Sequence, residues 1–474
     1  MKKLTGAILC GCSLSLIASS CKQQVEIKRP NVLFIMTDQQ RFDMLSCAGN
    51  RYVNTPSLDR LARNGVRFER NYCMNPVSMP SRFALVTGRY ASEIGYTNNS
   101  TKPDTARVLP VVRKSSIGNI FRNAGYQTIY SGYAGFYCGR TNIEDYGFTQ
   151  NGTDYHEGPA SFAEKFFAEY HSDEEEPFFL YLSFMNPHDI CYGAGFDPRF
   201  PDKLRPHQIA ATQKYIDLRK TLTDEEYRAQ VPPVPANVEP NGVYAEIKDI
   251  GSGCRDWTDE QWDFYRWMYC RLVEEVEQQI GRILTALEQS GIADNTIIVF
   301  TSDHGEMGQS HGLVFKSQLL EEATHTPLII SGPGIEKGVV DTGNLTCGID
   351  LVPTICDLAG IAVPDNLPGK SLKPVLTGQA DKINRDYIII ESSSGYQIND
   401  GHYKYTMFTR GEKKESLMDI QSDPGEMFDK ASEPAYTAIK NRMNNMLVQD
   451  LKQRGLWPCL LYTSPSPRDT ERSR

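Results

Sequence analysis

The chain has no pair of cysteines spaced as C-x-x-C, which excludes a zinc ribbon and a thioredoxin-like redox motif. It has no apolar run of the 18 or more residues that spanning a bilayer takes, and it shows no internal repeat. Positive charge is in deficit. A net charge of -9 over 474 residues argues against a nucleic-acid binder and gives no long-range attraction for polyanions, so any basic pocket for an anion must be local. What is present is a globular composition, 40% hydrophobic, long enough for a large core and two or three domains.

The two ends read differently from the body. Lys2 and Lys3 precede a mainly apolar stretch, Leu4 to Ala18, which is too short and too interrupted for a transmembrane helix and predicts an export signal over residues 1–20. Ala18-Ser19-Ser20-Cys21 resembles a bacterial lipoprotein cleavage site, which implies a lipidated Cys21 and a periplasmic or outer-membrane lipoprotein; the alternative is an ordinary secretory signal. Residues 459–474 look like translated sequencing adapter or a disordered Pro/Ser/Arg tail and are set aside from fold reasoning. Between the ends lie Cys47, Cys73, Cys138, Cys191, Cys254, Cys270, Cys347 and Cys356, several of them expected as free buried thiols.

Three apolar runs of strand length, Val32 to Met36, Phe178 to Phe184 and Thr296 to Phe300, each end in polar clusters: Thr37-Asp38-Gln39, Asn186-Pro187-His188 and Ser302-Asp303-His304. Such runs suit strands buried on both faces of a parallel sheet, and ligands of open α/β sheets bind beyond the carboxyl ends of the strands. Acidic and imidazole groups are thus expected at one sheet edge. Val273, Val276, Ile280, Ile283 and Leu287 predict a helix whose Glu274, Glu275 and Glu277 form a solvated face. From about Gly195 to Gly253 the pattern weakens into a long insertion, extended at Pro232 to Pro235, and Trp257, Trp262 and Trp267 beyond it are either a sugar-stacking wall or core aromatics. Residues 29–381 are read as the catalytic domain and 382–456 as a smaller unit of antiparallel strands with one helix, marked by Ile439, Met443, Leu447 and Leu451.

The stretch Ser78-Met79-Pro80-Ser81-Arg82, with Thr87-Gly88-Arg89, resembles the signature of the type I sulfatases, in which a Cys or Ser at the first position becomes formylglycine. Asp38-Gln39, Asn186-Pro187-His188, Asp303-His304-Gly305-Glu306 with His311-Gly312 and Lys316, and Asp419 through Glu426 match in order and spacing, so residues 29–456 resemble a sulfatase of the alkaline phosphatase superfamily. The resemblance implies a large α/β/α sandwich with a mostly parallel central sheet, followed by the small C-terminal antiparallel unit. It also implies that Asp38, Gln39, Asp303 and His304 ligate one divalent cation together with the oxygen at position 78. Calcium is favoured, and the imidazole and neutral amide keep magnesium and manganese open. Arg82 would hold the formylglycine hydrate. Lys316 and His188 would bind sulfate oxygens, with His188 a general acid and His311 a further substrate-side group. His156, His171, His207, His325 and His402 are read as exposed or structural. A serine at position 78 implies a radical-type maturase as partner.

One departure stands out. Where the family carries Gly-Lys-Trp-His, this chain reads Gly132-Tyr133-Ala134-Gly135-Phe136-Tyr137-Cys138-Gly139-Arg140, and no Lys or His occurs between Lys114 and His156. Tyr133, Arg140 or a histidine carried in by a loop would have to replace that pair, or turnover is slow. Three functions therefore remain: a sulfatase acting on sulfated carbohydrate, a phosphodiesterase or phosphonate monoester hydrolase of the same superfamily, and a sulfated-glycan-binding lipoprotein of impaired turnover.

Overall fold

Along Asn31–Asp38 every residue is buried, and successive side chains enter opposite layers: Val32, Phe34 and Met36 pack into one core, Leu33 and Ile35 into the other. The period of two and the burial of both faces force this strand into the middle of a sheet covered on each side. The computed structural model describes residues 28–99, 110–134, 143–152, 154–171, 176–193, 206–239, 254 and 256–456. The leader with Cys21, the tail 459–474, Cys138, Arg140 and much of the 195–253 insertion lie outside the described residues.

The strands of the main unit are β1 (Asn31–Asp38), β2 (Gly65–Phe68), β3 (Asn71–Tyr72), β4 (Gln127–Gly132), β5 (Thr149–Asn151), β6 (Phe178–Pro187), β7 (Thr296–Ser302), β8 (Leu328–Ser331), β9 (Val339–Asp341) and β10 (Thr346–Cys347). Eight of them form one sheet in the order β5-β4-β6-β1-β7-β8-β2-β9, parallel except where β8 runs against β7 and β2, and β3 pairs with β10 separately. Helices Gly158–Glu169 and Asp259–Gln289 cover one face, and Ser78–Thr87 and Leu351–Leu358 the other. The register decides the site: Val32 pairs with both Phe179 and Ile297, β1 and β7 stay aligned until Thr37 faces Ser302, and on the other side the register holds until Met36 faces Ser183 and then shifts, bringing Pro187 opposite Asp38. Asp38, His188 and Asp303 therefore leave the sheet at one edge.

The chain then forms β11 (Ile388–Ser392), β12 (Gly395–Asn399), β13 (Tyr403–Phe408) and β14 (Glu415–Asp419), an antiparallel sheet in sequence order, with Met443, Leu447 and Leu451 of helix Thr437–Gln453 in its core. The Asp419–Glu426 motif serves the junction with this sheet. Glu426 takes the buried ammonium of Lys404 at 2.7 Å and the backbone N–H of Glu321 at 2.7 Å, and Lys404 also reaches Glu321 at 3.2 Å.

One expectation is corrected, one choice left open is decided, and the insertion carries helices. Glu277 is not solvated: it is 2% exposed and accepts the backbone N–H of Ser57, holding the first turn of helix Pro56–Arg63. Trp257, Trp262 and Trp267 are buried together with Tyr265 and Tyr215, so they are core aromatics and present no stacking wall. The weakly patterned insertion contains helices Pro206–Lys220 and Asp224–Gln230, the second started by a capping box between Thr223 and Glu226; the first lacks an apolar stripe, which is why periodicity missed it. No helix among the described residues is long and apolar enough to cross a membrane.

Candidate active site at the carboxyl edge of the main sheet

The edge is built from turns that few sequences would adopt. Directly after β1, Gln39 is buried at φ +72°, a left-handed conformation costly for a residue with a Cβ. The backbone N–H groups of Gln39 and His304 both donate to Asp303 Oδ1, at 3.0 and 2.9 Å, which fixes the carboxylate against the ends of two strands. Helix Ser78–Thr87 is buried at every residue and ends in a glycine, Gly88, at φ +66°. Its N-terminal turn sets the positive end of the helix dipole and the Ser78 hydroxyl beside those carboxylates.

Ser78 Oγ lies 2.9 Å from His304 Nε2 and 3.5 Å from Asp38 Oδ1. His304 Nδ1 is 2.9 Å from the Gly305 carbonyl, which can only accept, so Nδ1 carries the proton and Nε2 turns a lone pair into the cluster. Burial, then the Lys316 charge, keeps this imidazole neutral by lowering its proton affinity well below the ordinary value. Asp38, Asp303 and His304 place their ligand atoms within 4.8 Å of one another, all buried. Burial and then the neighbouring Asp38 push Asp303 up, whereas Asp38 stays low because His188, Arg82 and Lys316 outweigh its own burial. Two carboxylates in conflict beside an unprotonated imidazole nitrogen form a donor set that fits a divalent cation.

Arg82 occupies the space beneath. It is 1% exposed and donates to Asp303 Oδ2 (Nε, 2.9 Å), Asp38 Oδ2 (2.8 Å), Ser183 Oγ (2.8 Å) and the Tyr133 carbonyl (2.9 Å), with the Tyr133 ring 4.7 Å from its guanidinium. Tyr133 can hold this place because Gly132, at φ +102°, lets the chain pass where a Cβ would sit 2.0 Å from the Ser183 carbonyl. Lys316 enters from the opposite side, flanked by Phe315 at φ +70° and Ser317 at φ +85°, with Nζ 4.0 Å from Asp38 and 2.5 Å from Gln39 Oε1. His188 faces the charges of Asp38 and Lys316; burial, then Lys316, pushes it down to about 4, and its Nδ1 is buried without a partner among the described residues.

Ser78, Arg82, Asp38, Asp303, His304, Gln39, Lys316 and His188 thus converge on one edge. His311 is placed elsewhere: it is buried beside Asn237, whose amide also reaches Glu322 and the Gly425 carbonyl, at the junction with the C-terminal unit. His325 is stacked on Phe42 and Tyr72, and His156 pairs with Asp189 at 2.9 Å. Sequence reasoning gave Glu306 and Ser183 no role. Glu306 closes the matched run Asp303-His304-Gly305-Glu306, and its burial was the missing signal for a role of its own; Ser183 sits inside an apolar run, where a single serine is easily passed over.

The sulfatase family profile matches residues 30–361, and that of the N-sulphoglucosamine sulphohydrolase C-terminal region matches residues 309–453. The chain is 29% identical over 440 residues to a Delta 4,5-hexuronate-2-O-sulfatase of Bacteroides thetaiotaomicron, covering 87% of this chain and 86% of that one. A solved 2-O GAG sulfatase superposes with a TM-score of 0.74 at 27% identity, covering 90% and 92% of the two chains. The phosphonate monoester hydrolase of Agrobacterium radiobacter shares the fold, with a TM-score of 0.70 at 24% identity over 90% and 96%. A buried serine, two carboxylates, an imidazole and two cations gathered at the sheet edge meet a profile spanning most of the main unit, and the chain belongs to the sulfatase family, a sulfuric ester hydrolase.

Proposed function

We propose that the chain hydrolyses sulfate monoesters on a carbohydrate, with Ser78 converted to formylglycine by a radical-type maturase and one divalent cation held by Asp38, Gln39, Asp303 and His304 together with an oxygen at position 78. The observation that carries this reading is the 2.9 Å approach of Ser78 Oγ to the lone pair of His304, inside a cluster of two buried carboxylates. As a hydrated aldehyde, position 78 would supply two hydroxyls on one carbon, one to attack sulfur and one to expel sulfate; the cation would orient that group and offset anionic charge. Calcium is the favoured ion.

The remaining work falls to side chains already in place. Arg82 pairs with both Asp38 and Asp303 and anchors them to the floor of the site. Lys316 binds a sulfate oxygen. His188, neutral at pH 7 as its depressed proton affinity requires, gains a proton more readily once an anionic ester sits beside it, and can then protonate the departing alcohol. The Δ4,5-hexuronate and GAG substrates named for two relatives favour a sulfated glycan over a simple aryl ester.

Peptide mass spectrometry across Ser78 of matured protein is expected to show the loss of two hydrogens, and a panel of sulfated glycans to show sulfate release. An unmodified serine in active protein would refute the mechanism. The phosphonate monoester hydrolase reading is favoured by the imidazole and neutral amide beside the carboxylates and by the shared fold. Matched aryl sulfate and phosphonate substrates separate the two, and a strong preference for phosphorus would reverse the assignment. We also propose export as a lipoprotein anchored through Cys21, which palmitate labelling lost in Cys21→Ala would support.

A further inference from the structure

Glu306 is fully buried and accepts from four donors. Its Oε1 takes Tyr265 Oη at 2.8 Å, the Phe315 N–H at 2.8 Å and the Gly308 N–H at 3.1 Å, while its Oε2 takes the side-chain amide of Gln39. The other end of that amide meets Lys316 Nζ at 2.5 Å. A carboxylate can only accept and an ammonium can only donate, so the orientation of Gln39 is not free: NH2 must face Glu306 and the oxygen must face Lys316. Cys191 Sγ, 3.4 Å from both amide atoms, accommodates either orientation and decides nothing. The backbone adds its own constraint, since Gln39 is held at φ +72° by Tyr269, whose hydroxyl donates to the Gln39 carbonyl at 2.6 Å. Glu306 fixes Lys316 along the chain as well, because the Phe315 N–H it holds belongs to the residue immediately before.

We infer that Glu306 is a positioning residue for sulfate binding: through Gln39 it dictates which end of the amide meets Lys316, and so where the ammonium is presented to the substrate. This rests on the reading that Lys316 binds sulfate, and it leaves a second lone pair of the Gln39 amide oxygen for the cation. The arrangement has a definite consequence. In Glu306→Gln the new amide keeps an oxygen for Tyr265, Gly308 and Phe315 but turns its NH2 toward Gln39. Gln39 must then flip, and its own NH2 is left against the Lys316 ammonium. Gln39→Glu alone sets two buried carboxylates face to face. The swap Gln39→Glu with Glu306→Gln restores every donor to an acceptor: the amide introduced at position 306 donates to the carboxylate introduced at position 39, and that carboxylate accepts from Lys316.

The test is a four-member cycle in the full-length, matured protein, read first as kcat/KM on 4-nitrophenyl sulfate and second as the urea midpoint of chelator-treated protein. Each single variant is expected to lose about ten- to a hundredfold in kcat/KM, the range for residues that orient direct ligands. The swap is expected to recover most of that loss and to unfold at a higher urea concentration than either single variant. A swap no better than the worse single variant in both measurements overturns the inference. Lys316→Ala separates this from its premise: if that variant keeps wild-type kcat/KM, the sulfate-binding reading of Lys316 fails, and the urea cycle still decides whether Glu306 sets the amide.

Discussion

Arg82→Met puts the frame of the site to its hardest test. The guanidinium is 1% exposed and is shared by Asp38 at 2.8 Å and Asp303 at 2.9 Å, both fully buried. Removing one partner of a buried ion pair costs about 3–5 kcal/mol, chiefly because the remaining charge is stranded in a medium that solvates it poorly. Here one cation serves two carboxylates and two neutral acceptors, so the upper end, about 5 kcal/mol, is expected. Lys316 cannot substitute, being 4.0 Å from Asp38 and committed to Gln39. Urea unfolding of chelator-treated protein, followed by tryptophan fluorescence, measures the loss. Arg82→Lys is the control: it restores the charge but reaches one carboxylate where the fork reaches two, and should fall between Met and wild type. Saturating calcium should then stabilise the Met variant more than wild type, because the ion takes over the charge balance that Arg82 supplied. A loss below about 1 kcal/mol for Met, or a Lys variant as stable as wild type, would show that the two carboxylates do not depend on the guanidinium, and the account of the site floor would fall.

Other expectations are simpler. Ser78→Ala should abolish sulfate release while leaving glycan binding measurable by calorimetry. Gly132→Ala should destabilise by more than about 2 kcal/mol, combining a left-handed φ with a Cβ aimed at the Ser183 carbonyl, and a wild-type melting temperature would contradict it. Burial raises Glu277 from 4.5 to about 7. A carboxylate raised in the fold carries no penalty below its unfolded value, a growing one as pH rises from about 4.5, and the whole of it above about 7. Glu277→Gln, which keeps an oxygen for the Ser57 N–H, should therefore stabilise by about 1–3 kcal/mol at pH 8 and by almost nothing at pH 4; equal effects at the two pH values would show that the group is not buried as a charge.

The sheet was readable because its signal is local. Val32 to Met36, Phe178 to Phe184 and Thr296 to Phe300 each carry an uninterrupted apolar run, and the polar residues that follow them must emerge at the strand ends. Asp38, Asp303 and His304 could be placed on one edge for that reason alone. Glu277 was misjudged because a lone glutamate on a helical stripe looks the same whether it meets water or the N-terminus of a helix 220 positions away in sequence. The tryptophans were ambiguous for a related reason, since their burial depends on Tyr215 from the insertion and Val53 and Met44 from the first loop. Glu306 is the most instructive omission. Its importance lies in four donors drawn from residues 39, 265, 308 and 315, a convergence that no window of sequence contains.

The charge inventory of the site also limits what electrostatics alone can select. Asp38, Asp303 and Glu306 face Arg82 and Lys316, and His304 and His188 are neutral, so the protein's own groups come close to cancelling and a divalent cation would leave a surplus of positive charge. A sulfate monoester and a phosphonate monoester each bring a single negative charge to that surplus, so net attraction does not tell them apart. What differs is where their oxygens must sit relative to fixed donors. Lys316 is fixed by Gln39 and by the left-handed residues on either side of it, and Arg82 by four acceptors; neither can be re-aimed without breaking buried hydrogen bonds. Selectivity between sulfur and phosphorus at this edge must therefore come from rigid geometry. It follows that variants which loosen Lys316 without removing it should lose discrimination between matched aryl sulfate and phosphonate substrates to a greater degree than they lose affinity for either.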